Sequence, residues 1–389
     1  MSRDAFFCKE WLPNYKLLNS KKIDELISET ISNANLVLSK ICNEEKPRNW
    51  DNTVQPISEN IEKIHRIWGA ANHLASVADT PEIRNIINKN LDKVTNFWTD
   101  FSQNKALYKI LTNLRRGVSK TAHPQQHKVL SDYVRDFELA GAHLADDDQD
   151  TFRRNNIELS RLAQKFSENL LDSTKATTIT IGSSEEGGPV KSLEGVPEHV
   201  LELSKKEAKK RGVNGYVFTL QPPIYSPVME CSTNRAFRFD MYSKYARRSS
   251  DIADEGGSFD NSLIIAKILK LRYQQAKIMG FSNPAELSLV SKMASSPEEV
   301  VMFLKDLAMR ARPFAEKELE QINQYAEQVD SIRKIEAWDI AFVSEKLKRN
   351  KFSIDSEELR NYFPLSKVLV GLFRTVKDLF GCDIFEEHG

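Results

Sequence analysis

The sequence from Ser296 to Leu307, SPEEVVMFLKDL, decides the fold class of this chain. Ser296 can accept a hydrogen bond from the amide at the third helical position, and Glu299 can reach back to the amide of Ser296. Pro297 suits the first helical position, where no amide hydrogen is needed. Three apolar residues follow at helical spacing: Val300, Leu304 and Leu307. The pattern predicts a helix that begins here and turns these three side chains towards a core.

Similar helical signals occur along most of the chain. Thr80-Pro81-Glu82 predicts another helix start, with an N-cap residue, a proline and an acid near the positive end of the helix dipole. Gly280 is placed to end a helix. Four further apolar stripes have helical spacing: Ile23, Ile27, Ala34, Leu38 and Ile41; Leu159, Leu162, Phe166 and Leu170; Ile264, Ile268, Leu271 and Ile278; and Val368, Leu372, Val376 and Phe380. Helices therefore dominate the predicted fold.

Strand signals are confined to two short segments. Thr177–Ile181 alternates in polarity as a half-buried strand does, and Tyr216–Leu220 is a second β-rich run that Pro222 ends. A turn at Gly187-Gly188 and a lysine-rich helix would separate the two strands. The predicted fold class is mainly α, with a minor β element near residues 177–221.

Composition argues against two classes of function. The 55 basic residues balance 55 acidic ones, so neither nucleic acid nor a membrane surface is expected as the main partner. No apolar run approaches the roughly 20 residues of a membrane-spanning helix. The amino terminus, MSRDAFFCKEWLPNYK, lacks the apolar segment of a secretory signal. We therefore expect a cytoplasmic protein.

The common motifs of hydrolases and nucleotide-binding proteins are absent from the sequence. No histidine is followed by glutamate, so the zinc-peptidase motif H-E-x-x-H does not occur. Neither G-x-G-x-x-G, G-x-x-x-x-G-K-[ST] nor G-x-S-x-G occurs. The cysteines lie far apart without a histidine close in sequence, which favours reduced, unreactive thiols. They are Cys8, Cys42, Cys231 and Cys382, of which Cys231 has polar neighbours that suggest exposure.

One pair of histidines has the spacing of metal ligands. His123 and His127 could place two imidazoles on one helical face, but Pro124 lies between them at an expected helix entrance. No third ligand is evident nearby, and a zinc site needs at least three protein ligands. We predict no metal site here, while an unrelated enzyme that uses these histidines stays as a minor alternative.

A run of basic residues and a set of tryptophans can each be interpreted either as functional or as purely structural. The basic run Lys205, Lys206, Lys209, Lys210 and Arg211 could bind an anion, but Glu202 and Glu207 on the same predicted helix favour a solvated face. Four of the five tryptophans are expected to anchor helix packing rather than stack on bases, because none of the four has a glycine-rich basic context. They are Trp50, Trp68, Trp98 and Trp338.

Short segments spread over essentially the whole chain resemble the thimet oligopeptidase family of zinc metallopeptidases, in its oligopeptidase A branch. Each segment alone is weak evidence for the resemblance. So many segments in the order expected for the family make chance similarity improbable. The segments are Asn49-Trp50-Asp51-Asn52 with Gln55-Pro56, His73-Leu74 with Ser76-Val77, Thr80-Pro81-Glu82, Arg135–Leu139, Pro227-Val228-Met229, Asn234-Arg235-Ala236, Met241-Tyr242, Phe259–Ser262, Arg310–Pro313, Trp338–Ala341 and Ser344–Lys346.

The resemblance implies a helical protein that lines a narrow channel for short peptides, with zinc held by residues that follow position 389 in the family. Residues 1–350 would form a helical channel wall, and 351–389 would begin the catalytic domain. We therefore expect no catalytic or metal-binding residue in this chain, assign no substrate-binding residue, and expect the chain to be inactive by itself. It would be a piece of a longer enzyme, a split gene product or a gene remnant.

Two functional hypotheses follow. The first is the amino-terminal portion of a peptide-degrading zinc metalloendopeptidase, whose partners are short peptides and a separate catalytic polypeptide. The alternative is a non-catalytic helical module that binds peptides or a protein partner. In either case, a half-channel should expose an apolar face, and we expect self-association when the chain is made alone.

Overall fold

The computed structural model of the protein describes residues 13–15, 18–118, 120, 123–183, 190–254, 257–353, 358–359 and 361–386. Helices predominate in these residues, and two strands pair in a small sheet, which confirms the predicted fold class. The first helices are α1 (Ser20–Asn43), α2 (Gln55–Val77), α3 (Pro81–Ser102), α4 (Lys105–Gly117), α5 (Pro124–Leu139) and α6 (Asp146–Ala176).

The remaining elements follow α6 along the chain. They are β1 (Thr178–Ile181), α7 (Glu198–Lys210), β2 (Tyr216–Thr219), α8 (Pro222–Cys231), α9 (Arg235–Ala246), α10 (Ser262–Ile278), α11 (Pro284–Leu289), α12 (Pro297–Asp330), α13 (Ala337–Phe352) and α14 (Leu365–Phe380). None of the helices in the described ranges is long and apolar enough to cross a membrane.

The chain divides into two compact units. The first comprises the residues up to Lys165 together with Ala266–Pro297, and the second comprises Phe166–Ile265 together with Glu298–His388. Each unit has its own apolar clusters.

Helix α1 shows how the sequence determines the helices of the first unit. Asn19 caps its start, because the side-chain oxygen accepts a hydrogen bond from the amide of Lys22 at 2.9 Å. Thr80 caps α3 in the same way, accepting from the amide of Ile83 at 3.3 Å, as the sequence predicts. The buried residues of α1 are Ile23, Ile27, Ala34, Leu38 and Ile41. The predicted apolar stripe is therefore confirmed residue by residue.

Packing of helix on helix forms the core of the first unit. Phe101 and Phe137 meet edge to face, with ring centroids 5.1 Å apart, in a cluster to which α1 to α5 all contribute. A second cluster joins α1, α2 and α3 around Ile23, Ala71 and Ile87. These interlocked apolar faces are the main source of stability for short helices, which are marginal in isolation.

The second unit contains the sheet. Strands β1 and β2 pair antiparallel, with Thr178 opposite Thr219 and Ile181 opposite Tyr216, so the two predicted strands are confirmed. The predicted turn at Gly187-Gly188 lies outside the described residues. Buried side chains from β2 and α7 to α9 form the core beneath this sheet, and Phe218 meets Phe237 edge to face at 4.9 Å.

Gly215 makes the approach to β2 possible. Its φ angle of +111° lies outside the regions that other residues adopt, and a Cβ atom there would be 2.3 Å from the carbonyl oxygen of Ile181. Only a residue without a side chain fits at this point. The turn that aligns the two strands therefore depends on glycine.

Helix α12 begins at Pro297 as predicted, but the prediction that its apolar stripe faces a core is wrong. Leu304 and Leu307 are 54% and 52% exposed, and Val300 is only half-buried. Near the other end of the helix, Ala326 is buried against α13. Periodicity identified the apolar face of α12 correctly, but nothing in the described part of the chain covers the first half of that face.

Candidate functional site

The two histidines with metal-ligand spacing lie at the start of α5. His123 is the exposed residue that precedes the helix, and its side chain makes no capping hydrogen bond. The His127 ring lies 3.4 Å from the hydroxyl of Ser131, measured from Nδ1 to Oγ. Within the described ranges, no group of three or more histidine, cysteine, aspartate or glutamate residues is placed to hold a metal ion.

The other residues that the sequence singled out occupy ordinary structural positions. Cys42 and Cys231 are half-buried and Cys382 is exposed, all three as reduced thiols outside any disulfide, while Cys8 lies outside the described residues. The suggestion that Cys231 is exposed is therefore wrong. Burial raises the pKa of the Cys42 thiol, which disfavours the reactive thiolate.

The basic run on α7 is a solvated face, in agreement with the interpretation that the sequence favours. The four lysines and Arg211 are exposed, and Arg211 pairs with Glu207 one helical turn away at 2.7 Å. An apolar cluster packs against each of the tryptophans that the sequence singled out, Trp50, Trp68, Trp98 and Trp338. This confirms that they anchor helix packing.

A buried ion-pair network joins α9 to α13 in the second unit. Arg238 donates from Nη2 to Oδ1 of Asp339 at 2.8 Å, and Arg235 donates from its own Nη2 to Oδ2 of Asp339 at 2.7 Å. The Asp339 side chain is fully buried and that of Arg238 is 1% exposed, whereas Arg235 is 46% exposed. Asp339 also accepts from the backbone amide of Glu336.

Arg238 is fully engaged within this network. Its Nη1 donates to the carbonyl of Ser232 at 2.7 Å, its Nε donates to the carbonyl of Trp338 at 3.3 Å, and its guanidinium lies 4.0 Å from the centre of the Phe342 ring. A buried guanidinium is tolerated only when its donors are satisfied and its charge is balanced. Both conditions are met here.

The pKa values in the network follow from this balance. Burial alone would raise the pKa of Asp339, but hydrogen bonds from Arg235 and Arg238 outweigh burial and hold the pKa below its ordinary value. Burial lowers the pKa of Arg238, although the bond to Asp339 opposes that effect. Both carboxylate oxygens of Asp339 already accept hydrogen bonds, so this group is suited to joining helices and not to binding a metal ion or moving a proton.

Two amphipathic helices of the second unit present an apolar face that the described residues do not cover. On α12 the face contains Phe303, Leu304, Leu307 and Phe314, which are between 52% and 71% exposed. On α14, no described residue is buried, and the face contains Leu365, Val368, Leu369, Leu372, Leu379 and Phe380. We call these two helix faces the bare apolar surface. Exposed apolar helix faces of this kind mark interaction sites in soluble proteins.

Comparison with known proteins identifies the kind of family to which this helical chain belongs, a family of peptidases. Residues 228–389 match the model of peptidase family M3, and residues 27–149 match the model of the neurolysin and thimet oligopeptidase N-terminal domain. The chain belongs to peptidase family M3 and carries an N-terminal domain of the thimet oligopeptidase type. The resemblance that the short sequence segments carry is confirmed.

Several curated relatives that the chain matches are named oligopeptidase A. It is 35% identical to oligopeptidase A of Escherichia coli over 371 residues, which cover 95% of this chain and 54% of that protein. It is 34% identical to oligopeptidase A of Haemophilus influenzae over 380 residues, 97% of this chain and 55% of that protein. It is also 34% identical to the probable cytosolic oligopeptidase A of Arabidopsis thaliana over 353 residues, 87% of this chain and 48% of that protein. The chain thus spans about half the length of these relatives.

Peptidase family M3 consists of zinc metallopeptidases, but the described residues do not fit a zinc site. The histidine pair on α5 has no third ligand, and the buried carboxylate of Asp339 has both oxygens committed to its neighbours. The buried ion-pair network and the bare apolar surface both lie within residues 228–389, the part that matches the peptidase model. They are the features of this chain on which a functional proposal can rest.

Arg235 and Asp339 lie in two of the segments that carry the family resemblance, but the sequence does not predict that they pair. The two residues are 104 positions apart, and no local pattern links them. The available signal was an arginine at each of two positions three apart on a predicted helix, which places both guanidinium groups on one face. Two arginines on one helix face suggest a carboxylate partner close to both. Their spacing does not identify the aspartate or glutamate that supplies it.

Proposed function

We propose that this chain is the helical, non-catalytic portion of an oligopeptidase A-like zinc metalloendopeptidase that degrades short peptides, and that it is inactive by itself. The observation that carries this proposal is the bare apolar surface on α12 and α14, which lies within the match to peptidase family M3. The fold and the family support a peptide-handling role.

The second part of the proposal is that the bare apolar surface packs against a separate catalytic polypeptide. Burying a Leu or Phe side chain that would otherwise be exposed contributes about 1.5–3 kcal/mol. Each of Phe303, Phe314, Leu365 and Phe380 is at least 65% exposed. A surface with several such side chains can supply enough apolar area for a stable protein interface.

The domain division is likewise a proposal. We assign residues 1–350 to a helical wall that faces bound peptides, and 351–389 to the start of a catalytic domain. Support comes from α14, which begins after position 350 and whose apolar face no described residue covers. A truncation that ends at residue 350 should leave the helices of the wall folded.

For localisation we propose the cytoplasm. The relative in Arabidopsis thaliana with 34% identity is named a probable cytosolic oligopeptidase A. A second relative from the same organism is named an organellar oligopeptidase A, so fractionation of the source cells is the direct test.

The test of the proposed function is a reconstitution. The purified chain is incubated with zinc and a quenched fluorescent peptide, with and without a second polypeptide that supplies an H-E-x-x-H motif and the rest of the family's catalytic half. We expect no cleavage by the chain alone and cleavage when both are present. Leu307→Glu on the bare apolar surface should reduce the restored activity, whereas Leu36→Glu on α1, a residue that is 67% exposed, should not.

Two outcomes would contradict the proposal. Cleavage by the chain alone would show a catalytic site that neither the sequence nor the geometry indicates. Equal activity of the second polypeptide with and without the chain would favour the alternative, a non-catalytic module that binds peptides or a protein partner.

A further inference from the structure

A group of aromatic side chains forms a half-exposed ridge on the second unit. Phe239 and Tyr242 on α9 both meet Trp338 of α13, with ring centroids at 4.8 Å and 6.0 Å. Tyr245 lies one turn further along α9 and stacks on Tyr225 of α8 at 4.1 Å, with 19° between the ring planes. We call these five residues the aromatic ridge. Phe239 is 42% exposed and the others are partly buried.

Arg248 lies at the end of the aromatic ridge. The carbon centre of its guanidinium is 3.5 Å from the centre of the Tyr245 ring. Its Nε donates to the carbonyl of Tyr245 at 2.9 Å, and its Nη1 donates to the hydroxyl of Thr174 at 3.1 Å. Three contacts therefore fix the guanidinium in one position, which lowers the entropic cost of binding a ligand.

The charge of Arg248 has no counterpart in the described part of the chain. Among the described residues, the Arg248 guanidinium contacts the carbonyl, the hydroxyl and the ring given above, and none of these groups is a carboxylate. Nη2 is left as a donor without an acceptor among the described residues. A half-buried guanidinium without a carboxylate favours an anionic ligand, because a paired charge is more stable than an isolated one in a partly apolar site.

The tyrosine hydroxyls of the ridge supply further donors. Tyr225, Tyr242 and Tyr245 form no side-chain hydrogen bond with any other described residue. Burial raises the pKa of Tyr225, the nearby Tyr245 and Tyr242 raise it further, and Arg248 only partly opposes these effects. This phenol therefore remains protonated at neutral pH and can donate to an oxygen atom.

We propose that the aromatic ridge and Arg248 bind the carboxy-terminal end of a short, extended, apolar peptide. Arg248 and a tyrosine hydroxyl contact the terminal carboxylate, and the apolar side chains of the peptide lie along Trp338 and Phe239. Aromatic surfaces of this kind bind extended, proline-containing segments with little ordering cost. This inference rests on the proposed peptide-handling function and assigns it a binding site.

The position of Arg248 favours a terminal carboxylate over one inside a peptide. Helix α9 ends at Ala246, and the chain then turns at Ser249, whose φ is +52° and whose amide donates to Ser173 on α6 at 3.1 Å. The ridge therefore stops at Arg248. A peptide that follows the ridge places its last residue there.

The test measures binding by the chain alone. A fluorescein-labelled octapeptide of leucine and proline is prepared with a free carboxy terminus and with a terminal amide, and affinities are measured by fluorescence anisotropy. We expect the free carboxylate to bind at least about tenfold more tightly, as for a hydrogen bond to a charged group. A third peptide, amidated but ending in glutamate, should bind as weakly as the simple amide.

Matched variants locate the effect. Arg248→Gln should abolish the preference for the carboxylate, whereas Arg247→Gln, which removes an exposed charge from the adjacent position, should retain it. Tyr225→Phe removes a hydroxyl but keeps the stacked ring, and should weaken only the carboxylate peptide, by several-fold. Circular dichroism and thermal unfolding confirm that each variant is folded.

Three results would overturn the inference. They are equal affinity for the carboxylate and amide peptides, equal loss of affinity in the two arginine variants, and tight binding of the amidated peptide that ends in glutamate. The catalytic polypeptide is absent from this measurement. A failure to bind peptide is therefore distinguishable from a failure of the reconstitution.

Discussion

Arg238 donates to Asp339 at 2.8 Å, and the two side chains are 1% and 0% exposed. They lie 101 positions apart in sequence, on α9 and α13. A buried ion pair is costly to break, because the partner that remains keeps an uncompensated charge in an apolar environment. The connection between these two helices therefore depends on both residues.

Replacing the acid should be strongly destabilising. We expect Asp339→Asn to lower the free energy of unfolding by about 3–5 kcal/mol, since Arg235 and Arg238 lose their shared counter-charge. Urea denaturation followed by circular dichroism measures this change. The control is Asp306→Asn on α12, which removes an exposed ion pair with Arg310 and should cost less than about 1 kcal/mol. Equal effects of the two variants would show that the network adds nothing beyond a surface pair.

The same carboxylate predicts how stability depends on pH. Hydrogen bonds from Arg235 and Arg238 hold the pKa of Asp339 below its ordinary value against the effect of burial, so its contribution is complete above about pH 4. The contribution is lost as the pH falls through the folded-state pKa, where protonation favours the unfolded chain. The free energy of unfolding should fall below about pH 4, and less steeply in Asp339→Asn. Hydrogen bonds from Lys89 and Lys93 also lower the pKa of Asp24. This carboxylate should therefore maintain part of the pH dependence of the free energy of unfolding in the variant.

Glycine is required at position 215. We expect Gly215→Ala to destabilise the second unit by about 3 kcal/mol, because it combines an unfavourable φ angle with a clash against Ile181. Gly212→Ala is the matched control, since Gly212 also has a positive φ, +69°, but no atom within 4 Å of its Cβ position. It should cost about 1 kcal/mol. Similar losses in the two variants would contradict the steric argument.

The bare apolar surface should cause self-association. Sedimentation velocity of the purified chain should show mass that increases with concentration, because exposed apolar side chains gain by mutual burial. Leu307→Glu and Leu372→Glu should each reduce the associated fraction. The isolated exposed leucine on α1 provides the control, and Leu36→Glu should leave the distribution unchanged. A monodisperse monomer at high concentration would count against this prediction.

Zinc should not bind tightly to this chain. His123 and His127 provide at most two ligands, and tight zinc sites use three or four protein ligands. We expect less than one zinc per chain after dialysis, as measured by mass spectrometry of the metal content, and no rise in melting temperature on adding zinc. Stoichiometric zinc that His127→Ala removes would support the minor alternative of a histidine-based enzyme.

Local patterns in the sequence predict the elements of this fold well. The capped start of α3, the buried stripe of α1 and both strands follow from residues within a few positions of one another. Such features are set by short-range hydrogen bonds and by which face of an element is apolar. They need no knowledge of the tertiary structure.

Local patterns do not predict contacts between residues that are far apart in sequence. The stripe on α12 identifies an apolar face, but periodicity cannot say what covers that face, and Leu304 proves to be exposed. The pairing of Arg238 with Asp339 and the stack of Tyr225 on Tyr245 join separate elements of the chain. They depend on how the chain returns on itself, which one sequence does not reveal.

The shared acid of Arg235 and Arg238 also limits how this chain can evolve. A substitution at Asp339 alone leaves two guanidinium groups without their shared carboxylate. A substitution at Arg238 alone leaves the buried carboxylate with Arg235 as its remaining charged partner. Either single step is worse than the starting state or a fully apolar replacement, so the effects of the substitutions are strongly non-additive. Drift at these three positions should therefore be correlated, with coordinated replacement favoured over independent change.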